Sequence, residues 1–268
     1  MITVPTSPLV GLPRPAFDES PSSWLARASL SQAASMQDVL QSLDLKIRAP
    51  QDLDFFVLSG NLSTAMLQVG LSGDSFPVAR RVLANLRSVN SDGRTYLLRN
   101  AGQIKYRYCA PCLSEQQSKY LPIHWRFKAW QWCPLHLSVM RDRCPRCNAA
   151  LEFPHDLLRA GPEGEGVGSL DYCLKCGHRL SLTAEEDRGR VHPDAVDPWT
   201  RTLMRNGRAL LAALYYKHLF TTTSGSRFRL ATLRRFTGLI PNNVSIWKPP
   251  LPVAGFGMEE SKPLAPHL

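Results

Sequence analysis

The sequence predicts a mainly α-helical protein with small zinc-ribbon β elements. An N-terminal helical domain of helix-turn-helix type is followed by two tandem zinc-binding modules and C-terminal helices. Two observations lead to this fold class: apolar residues recur at helical spacing towards both ends of the chain, and four pairs of metal-binding residues recur between them. The expected boundaries are 1–100 for the helical domain, 101–143 and 144–195 for the two zinc modules, 196–248 for the C-terminal basic helices, and 249–268 for a proline-rich tail.

The N-terminal domain is expected to open with two capped helices. Ser20 suits the N-cap of the first helix and Pro21 its first turn. Ser35 begins the second helix, with Asp38 at capping-box spacing. Two short helices joined by small residues allow a helix-turn-helix, although most helical hairpins only build a core. Further short helices are expected over 53–58, 62–69 and 77–87, and residues 94–108 are expected to be extended.

All seven cysteines belong to pairs of one spacing: Cys109–Cys112, Cys133–His136, Cys144–Cys147 and Cys173–Cys176. Seven thiols and one imidazole provide enough ligands for two tetrahedral zinc ions. A disulfide framework would need an even number of cysteines in a secreted chain, and a thioredoxin-like redox pair would explain one motif but not four. The sequence therefore predicts two zinc ions per chain.

Spacing alone leaves the pairing of these motifs open. Sequential pairing is the simplest arrangement, but cross-braced pairing of the first motif with the third uses the same residues. His178 could also replace Cys176 as a ligand. In every arrangement each ion has four strong ligands, and no HExxH helix or spare base accompanies them. The sites are therefore expected to be closed and structural rather than catalytic.

The basic residues are concentrated in two regions of a chain with net charge +10. Residues 94–147 hold ten basic and two acidic side chains, and Trp199 to Met258 hold nine basic and no acidic ones. This distribution indicates a polyanionic partner, most often nucleic acid, with a merely solvated surface as the alternative. The expected nucleic-acid contacts are Arg126 and Lys128, which interleave with aromatic residues that should pack on the zinc module, and Arg201, Arg205, Arg208, Arg227, Arg229, Arg234 and Arg235.

Several function classes lack their sequence signals. The longest apolar run, Ala209 to Tyr216, has eight residues, whereas a membrane-spanning helix needs about 20. The N-terminus shows no signal-peptide pattern, so we expect a cytoplasmic protein without a membrane partner. No glycine-rich phosphate loop, Ser/His/Asp set or paired-carboxylate site is evident, so we expect no enzymatic activity.

Two segments resemble the TniQ family. Residues 12–27 are similar to the opening of that family, with a proline-basic-proline arm, an Asp-Glu-Ser cap and a helix that carries a large aromatic residue and an arginine. Residues 107–147 resemble the zinc region of the family in the order and spacing of its motifs. On this resemblance, Arg14, Trp24 and Arg27 are the expected partner contacts.

The resemblance implies a non-enzymatic component of target-selecting bacterial transposons. Such proteins mark the insertion site and help to recruit an AAA+ ATPase that engages the transposase. Some members read DNA directly, while others act with an RNA-guided CRISPR effector complex, often as dimers. Longer members continue with further helical DNA-binding domains, whereas this sequence ends at Leu268, which favours an adaptor that binds DNA, the AAA+ ATPase and a target-recognition complex.

Two other function classes remain open at this point. A stand-alone, zinc-containing regulator that binds one DNA sequence would use the same basic regions. A zinc enzyme would need an open metal site with a base, which the ligand count does not provide.

Overall fold

The structure, a computed structural model, describes residues 9–46, 52–89, 93–153, 156–183, 207, 210–211, 213–220 and 227–230. These residues combine helices with small antiparallel sheets. Within the described part of the chain, no helix is both long and apolar enough to span a bilayer. The α-helices are α1 (Pro21–Ser31), α2 (Met36–Ser42), α3 (Gly60–Gln68), α4 (Pro77–Val89) and α5 (Ala110–Glu115), and residues 213–216 are also helical.

The strands form three small sheets. One contains β1 (Arg99–Asn100), β2 (Gln103–Tyr106) and β5 (Leu151–Phe153) in the order β1-β2-β5. The second pairs β3 (Trp132–Cys133) with β4 (Ser138–Val139). The third pairs β6 (His218–Phe220) with β7 (Arg227–Arg229). Because β2 pairs with β5, the first sheet joins sequence from both sides of residue 144. Among the described residues, 3-10 helices cover Leu53–Leu58, Arg94–Tyr96, Ile123–Arg126 and Leu180–Thr183.

Both expected helix caps are confirmed. The Ser20 hydroxyl accepts a hydrogen bond from the Ser23 backbone amide, and Pro21 occupies the first helical position. The Ser35 hydroxyl accepts from the Asp38 amide at 3.1 Å, and the Asp38 carboxylate accepts from the Ser35 amide at 3.1 Å. The side chains at these two starts therefore satisfy amide groups that a helix leaves unpaired at its first turn.

Two expectations about local structure need correction. The short helix expected over residues 53–58 is present as a 3-10 helix, but the extended stretch expected from residue 94 begins with a 3-10 turn. In the C-terminal region expected to be helical, residues 218–220 and 227–229 pair as antiparallel strands. Aromatic and β-branched residues are frequent from 218 to 228, and such residues favour strands over helices.

One hydrophobic cluster extends from Leu12 to Leu230 and joins the N-terminal helices to the segments around the metal-binding motifs. Trp24 packs edge-to-face on Phe76, with ring centroids 5.8 Å apart. Trp125 and Trp130 are also buried, which confirms that aromatic residues between the motifs pack inside the molecule. The helices and the first pair of metal-binding motifs therefore share a core.

Candidate metal centres

The first cluster of metal-binding side chains is built by one helix and one hairpin. Cys109 is the N-cap residue of α5 and Cys112 lies in its first turn, while Cys133 ends β3 and His136 lies in the turn before β4. The His136 Nδ1 atom is 3.5, 3.3 and 3.5 Å from the sulfur atoms of Cys109, Cys112 and Cys133, respectively. The sulfur atoms of Cys112 and Cys133 are 3.5 Å apart.

The second cluster contains four thiols on two similar turns. The Cys144 and Cys176 sulfur atoms are 3.7 Å apart, and those of Cys147 and Cys173 are 3.5 Å apart. A backbone hydrogen bond of 2.9 Å closes each turn. The Asn148 amide donates to the Cys144 carbonyl, and the Gly177 amide donates to the Cys173 carbonyl.

A residue with positive φ follows the second ligand in three of the four motifs. These residues are Leu137, Asn148 and Gly177, with φ of 48°, 58° and 64°. Glycine and asparagine tolerate this conformation best, whereas Leu137 adopts it at a cost. The remaining motif, Cys109–Cys112, differs because Cys112 lies within α5. The expected knuckle turns thus occur in two forms, one helical and three with a left-handed exit.

Both clusters fit a tetrahedral zinc ion. The donor atoms of each set lie within 4.8 Å of one another. With Zn–S near 2.3 Å and Zn–N near 2.0 Å, a tetrahedron has S···S edges of about 3.8 Å and S···N edges of about 3.5 Å. The observed separations of 3.3–3.7 Å match these edges. Grouping the motifs in sequential order resolves the open pairing, and Cys176 rather than His178 completes the second set.

A carboxylate supports the histidine of the first centre. Both carboxylate oxygens of Glu115 lie 3.0 Å from His136 Nε2. A proton on Nε2 would be held by this carboxylate, leaving the Nδ1 lone pair for a metal ion. The Ser138 hydroxyl is 3.7 Å from the Cys109 sulfur. The sequence analysis did not identify these two residues, although Glu115 follows Cys112 at a spacing that places both on one helix face.

An aspartate organises the loop of the second centre. The buried carboxylate of Asp171 accepts from Arg179 Nε at 2.7 Å, from the Ser181 amide at 3.0 Å and from the Ser181 hydroxyl at 2.7 Å. The Cys173 amide donates to the His178 carbonyl. These contacts hold the second turn in place from both sides, and none of them reaches a ligand atom.

One thiol in each cluster is predisposed to ionise. Hydrogen bonds from the thiols of Cys109 and Cys112 lower the pKa of Cys133 to about 4, against the effect of burial. For Cys147, burial is outweighed by hydrogen bonds from the Ala149 amide and the neighbouring thiols, which together lower the pKa to about 7. Since zinc binds thiolates, each cluster can begin to bind the ion at neutral pH.

The expected exposure of Arg126 is wrong. Its side chain is completely buried and forms ion pairs with two aspartates. Nη1 and Nη2 donate to the two carboxylate oxygens of Asp52 at 2.8 and 2.9 Å, and Nη1 donates to Asp54 at 2.6 Å. A guanidinium this enclosed has no contact with solvent and cannot touch nucleic acid in this structure. No local signal could have revealed its partners, because they lie 74 and 72 residues away.

Polar side chains of α1 and β2 complete this buried cluster. The Ser22 amide donates to Asp54 at 2.7 Å, and the Tyr106 hydroxyl donates to Ser20 and Asp54. Burial opposes ionisation of both aspartates, but the charge and hydrogen bonds of Arg126 outweigh it at Asp52 and lower that pKa. At Asp54 burial prevails and the pKa is raised. The cluster therefore connects the N-terminal helices to the segment that leads into the first centre.

The expected partner contacts have different positions. Trp24, an expected partner contact, is a core residue, 2% exposed, and its indole N–H donates to the Pro13 carbonyl at 2.7 Å. Arg27 is engaged by the Glu19 carboxylate, the Ser118 hydroxyl and the Arg14 carbonyl. Arg14 is exposed. It lines a cleft of about 430 Å³ beside the first centre, together with Arg27, Gln117, Trp130, Pro134 and Leu135.

The remaining candidate cations are only partly described. Lys128 is half-buried, and burial lowers its pKa. Arg227 and Arg229 lie on β7 rather than on a helix, and Arg229 is exposed. Arg201, Arg205, Arg208, Arg234 and Arg235 lie outside the described residues. The arginines of α4 were not among the expected nucleic-acid contacts.

Comparison with protein families supports the resemblance seen in the sequence. The TniQ family model matches residues 11–139. The matched segment contains α1 to α5, β1 to β4, the buried Arg126 cluster and the four ligands of the first centre. A comparison with curated proteins gives no match. Residues 11–139 of the chain are therefore a TniQ domain, the domain of a family of transposition-associated proteins.

Proposed function

We propose that this protein is a target-selection adaptor in transposition. It would link a complex that recognises the target site, such as an RNA-guided CRISPR effector, to an AAA+ transposition regulator and to DNA. The observation that carries the proposal is the TniQ match, because the matched residues form one core together with the first metal centre. Because members of the family that this chain resembles often act as dimers, we also propose that the protein is a homodimer.

The metal centres support a structural role. Each set has four donors, which fill the coordination of a tetrahedral zinc ion and leave no position for a reacting water. When bound, the ion supplies a cross-link between distant segments of the chain. The protein's own residues then present surfaces to partners. We therefore propose a non-enzymatic protein.

The cleft beside the first centre is suited to contact with another protein. Its rim holds the exposed Arg14 and the side chain of Leu135, which is 58% exposed, and its walls hold Trp130 and Pro134. Apolar and aromatic surface next to an arginine is the composition that protein interfaces favour. Arg27 forms an ion pair with Glu19 and so helps to hold the segment before α1 in place, and it is not free to bind a partner.

Reconstitution with the AAA+ regulator of the same transposon tests this role. The zinc-loaded chain and the regulator are mixed with target DNA, and association is measured by analytical ultracentrifugation. We expect a complex that weakens at least about tenfold for Arg14→Glu, because a charge reversal at an interface rim opposes association. Arg159→Glu, an exposed arginine away from the cleft, is the matched control. Absence of any complex with the wild-type chain would contradict the adaptor role.

Binding of the chain alone to DNA separates the adaptor from a stand-alone regulator. We expect weak, salt-sensitive binding that does not depend on sequence, because phosphate contacts position a protein without reading bases. Tight binding to one duplex that persists at about 200 mM salt would instead favour a sequence-specific regulator.

A further inference from the structure

The helix pair expected to resemble a DNA-binding motif does not present a basic surface. Most side chains of α1 are buried, and its single cation, Arg27, pairs with Glu19. On α2 the exposed side chains are Gln37, Asp38 and Gln41, and the helix contains no lysine or arginine. The α1–α2 pair therefore presents one exposed carboxylate and no free cation, which does not favour contact with the negatively charged phosphates of a duplex.

The exposed face of α4 has the opposite character. Its 13 residues contain three arginines and no acidic residue. Val82 and Leu86 face the core, whereas Arg81 and Arg87 are exposed. Within the described residues, neither of these two arginines forms an ion pair. Both charges are therefore available to an anionic partner.

Both arginines rest on aromatic rings. The Arg81 guanidinium lies over Tyr215 at 4.7 Å from the ring centroid, and that of Arg87 lies over Phe55 at 5.0 Å. Stacking restricts a guanidinium to one plane but leaves its N–H groups free to donate at the edge. The arrangement also covers these two rings, so they do not offer a platform for unstacked bases. Oriented donors without a free ring fit a duplex backbone better than a single strand.

The C-terminal segment packs against α4. The Asn85 side chain of α4 donates to the Leu214 carbonyl at 2.6 Å, inside the structure. Further towards the N-terminus, Gly207 lies against the segment between the two motifs of the first centre, where a Cβ on Gly207 would lie 2.7 Å from the Ala129 carbonyl oxygen. Exposed Lys217 and Arg229 follow on the turn and on β7. The basic C-terminal region thus begins beside α4 rather than apart from it.

We propose that the exposed face of α4, extended by Lys217 and Arg229, is the surface through which the protein contacts the phosphate backbone of duplex DNA. The surface serves the DNA contact of the proposed adaptor and rests on that role. It places the contact on the second helix of the α3–α4 pair instead of the α1–α2 pair. Its arginines read no bases, so it predicts affinity without sequence preference.

The test uses the full, zinc-loaded chain and a fluorescent mixed-sequence duplex, with anisotropy measured over a salt series. We expect Arg81→Gln with Arg87→Gln to lower affinity roughly 10- to 100-fold near 0.1 M salt and to reduce the salt slope by about two, since each phosphate contact contributes about 0.9. Arg81→Lys with Arg87→Lys keeps both charges and should retain most of the slope. Arg146→Gln with Lys175→Gln removes two exposed cations at the second centre and is the matched control.

Each outcome bears on the surface separately from the adaptor role. An unchanged slope for the α4 double variant, with normal DNA binding by the wild-type chain, overturns the surface and leaves the adaptor intact. An equal loss in the control variant also overturns it, because the effect would then reflect net charge alone. A loss of binding to single-stranded RNA but not to the duplex would assign the face to RNA. Failure of the wild-type chain to bind the duplex overturns the surface even if the AAA+ regulator still binds.

Discussion

Backbone hydrogen bonds join the first metal centre to the N-terminal segment of the protein, whereas those around the second centre lie mostly among its own residues. Around the first centre, the Ile123 amide donates to the Asp18 carbonyl and the Ser20 amide donates to the Leu121 carbonyl, so its linker is bonded to the N-terminal arm. Around the second centre most backbone bonds stay within residues 142–182. That part meets the rest of the molecule through β5, which pairs with β2, and through the contact of residues 180–183 with α5.

The difference shows that equal ligand spacing does not mean equal structural weight. Residues 11–139, which match the family, include the first centre and end before the second. Metal at the first centre should hold the arm, the helices and the β3–β4 hairpin together. Metal at the second centre should hold two turns and the loop between them. The two centres can therefore be distinguished by removing one ligand from each.

Loss of a ligand is expected to have the largest effect at the first centre. Structural zinc supplies about 10–16 kcal/mol in small modules, which equals or exceeds the stability of a typical domain, about 5–15 kcal/mol. Cys109→Ser should therefore unfold the body that contains α1 and α4. Cys173→Ser should abolish protection only around the second centre. Hydrogen exchange, with zinc content measured on the same samples, would show the two patterns.

Equal loss of protection in α1 and α4 in both cysteine variants would contradict the expected difference between the two centres. In that case the second centre would be as central to the fold as the first. A further ligand variant in each set, Cys133→Ser and Cys144→Ser, separates an effect of metal loss from an effect of one side chain.

The Arg126 cluster tests what connects the helices to the first centre. Arg126→Met leaves Asp52 and Asp54 buried without their cation, which should cost about 3–5 kcal/mol. Urea denaturation measures this loss, and Arg143→Met, at an exposed arginine that bonds only a backbone carbonyl, serves as the control. Adding Asp52→Asn and Asp54→Asn should recover part of the stability, because the unpaired charges are the source of the cost. A triple variant no more stable than Arg126→Met would contradict this explanation.

Glu115 is expected to raise the metal affinity of the first centre but not of the second. Replacing this carboxylate with glutamine weakens its hold on His136 Nε2, and changes of this kind typically reduce metal affinity about 10- to 100-fold. Only the first centre should be affected, since Glu115 does not contact the second set of ligands. Chelator competition that resolves two zinc ions would measure this. Glu163→Gln, an exposed glutamate in the loop of the second module, should leave both affinities unchanged.

Local spacing predicted the features that depend on neighbouring residues. The Ser20 and Ser35 caps and the identity of the eight ligands need only contacts within a few residues or a repeated turn, whereas the pairing of the four motifs could not be fixed by spacing. The knuckles could be expected because Asn148 and Gly177 tolerate the left-handed conformation that follows the second ligand. The amphipathic pattern of α4 likewise placed its apolar side in the core.

Contacts between distant residues could not be predicted in the same way. Arg126 alternates with aromatic residues, which suggested an exposed cation, yet Asp52 and Asp54 make burial of this arginine favourable from far along the chain. Trp24 similarly lies under the arm that carries Pro13. The C-terminal hairpin depends on pairing across residues 218–229 rather than on helical periodicity. In each case the missing information was which distant segment would supply the partner.

The buried His124 is expected to make the stability of the protein depend modestly on pH. Its ring packs on Trp130 at 4.6 Å between centroids, and Nδ1 is 3.8 Å from the Asp18 carboxylate, too far for a hydrogen bond. Burial lowers the pKa of His124 to about 3, below its ordinary value of about 6.5. The unfolded chain therefore takes up a proton at a pH where the folded protein does not.

The stability contributed by neutral His124 is present above about pH 6.5 and is lost as the pH falls towards 3. Between about pH 7 and pH 5.5 this amounts to about 1 kcal/mol. His124→Phe keeps an aromatic ring against Trp130 but cannot titrate, so its unfolding free energy should fall less over the same range. Since zinc ligands titrate equally in both proteins, the difference between the two pH profiles isolates His124. Parallel profiles would mean that the imidazole is solvated or paired in solution and that burial does not lower its pKa.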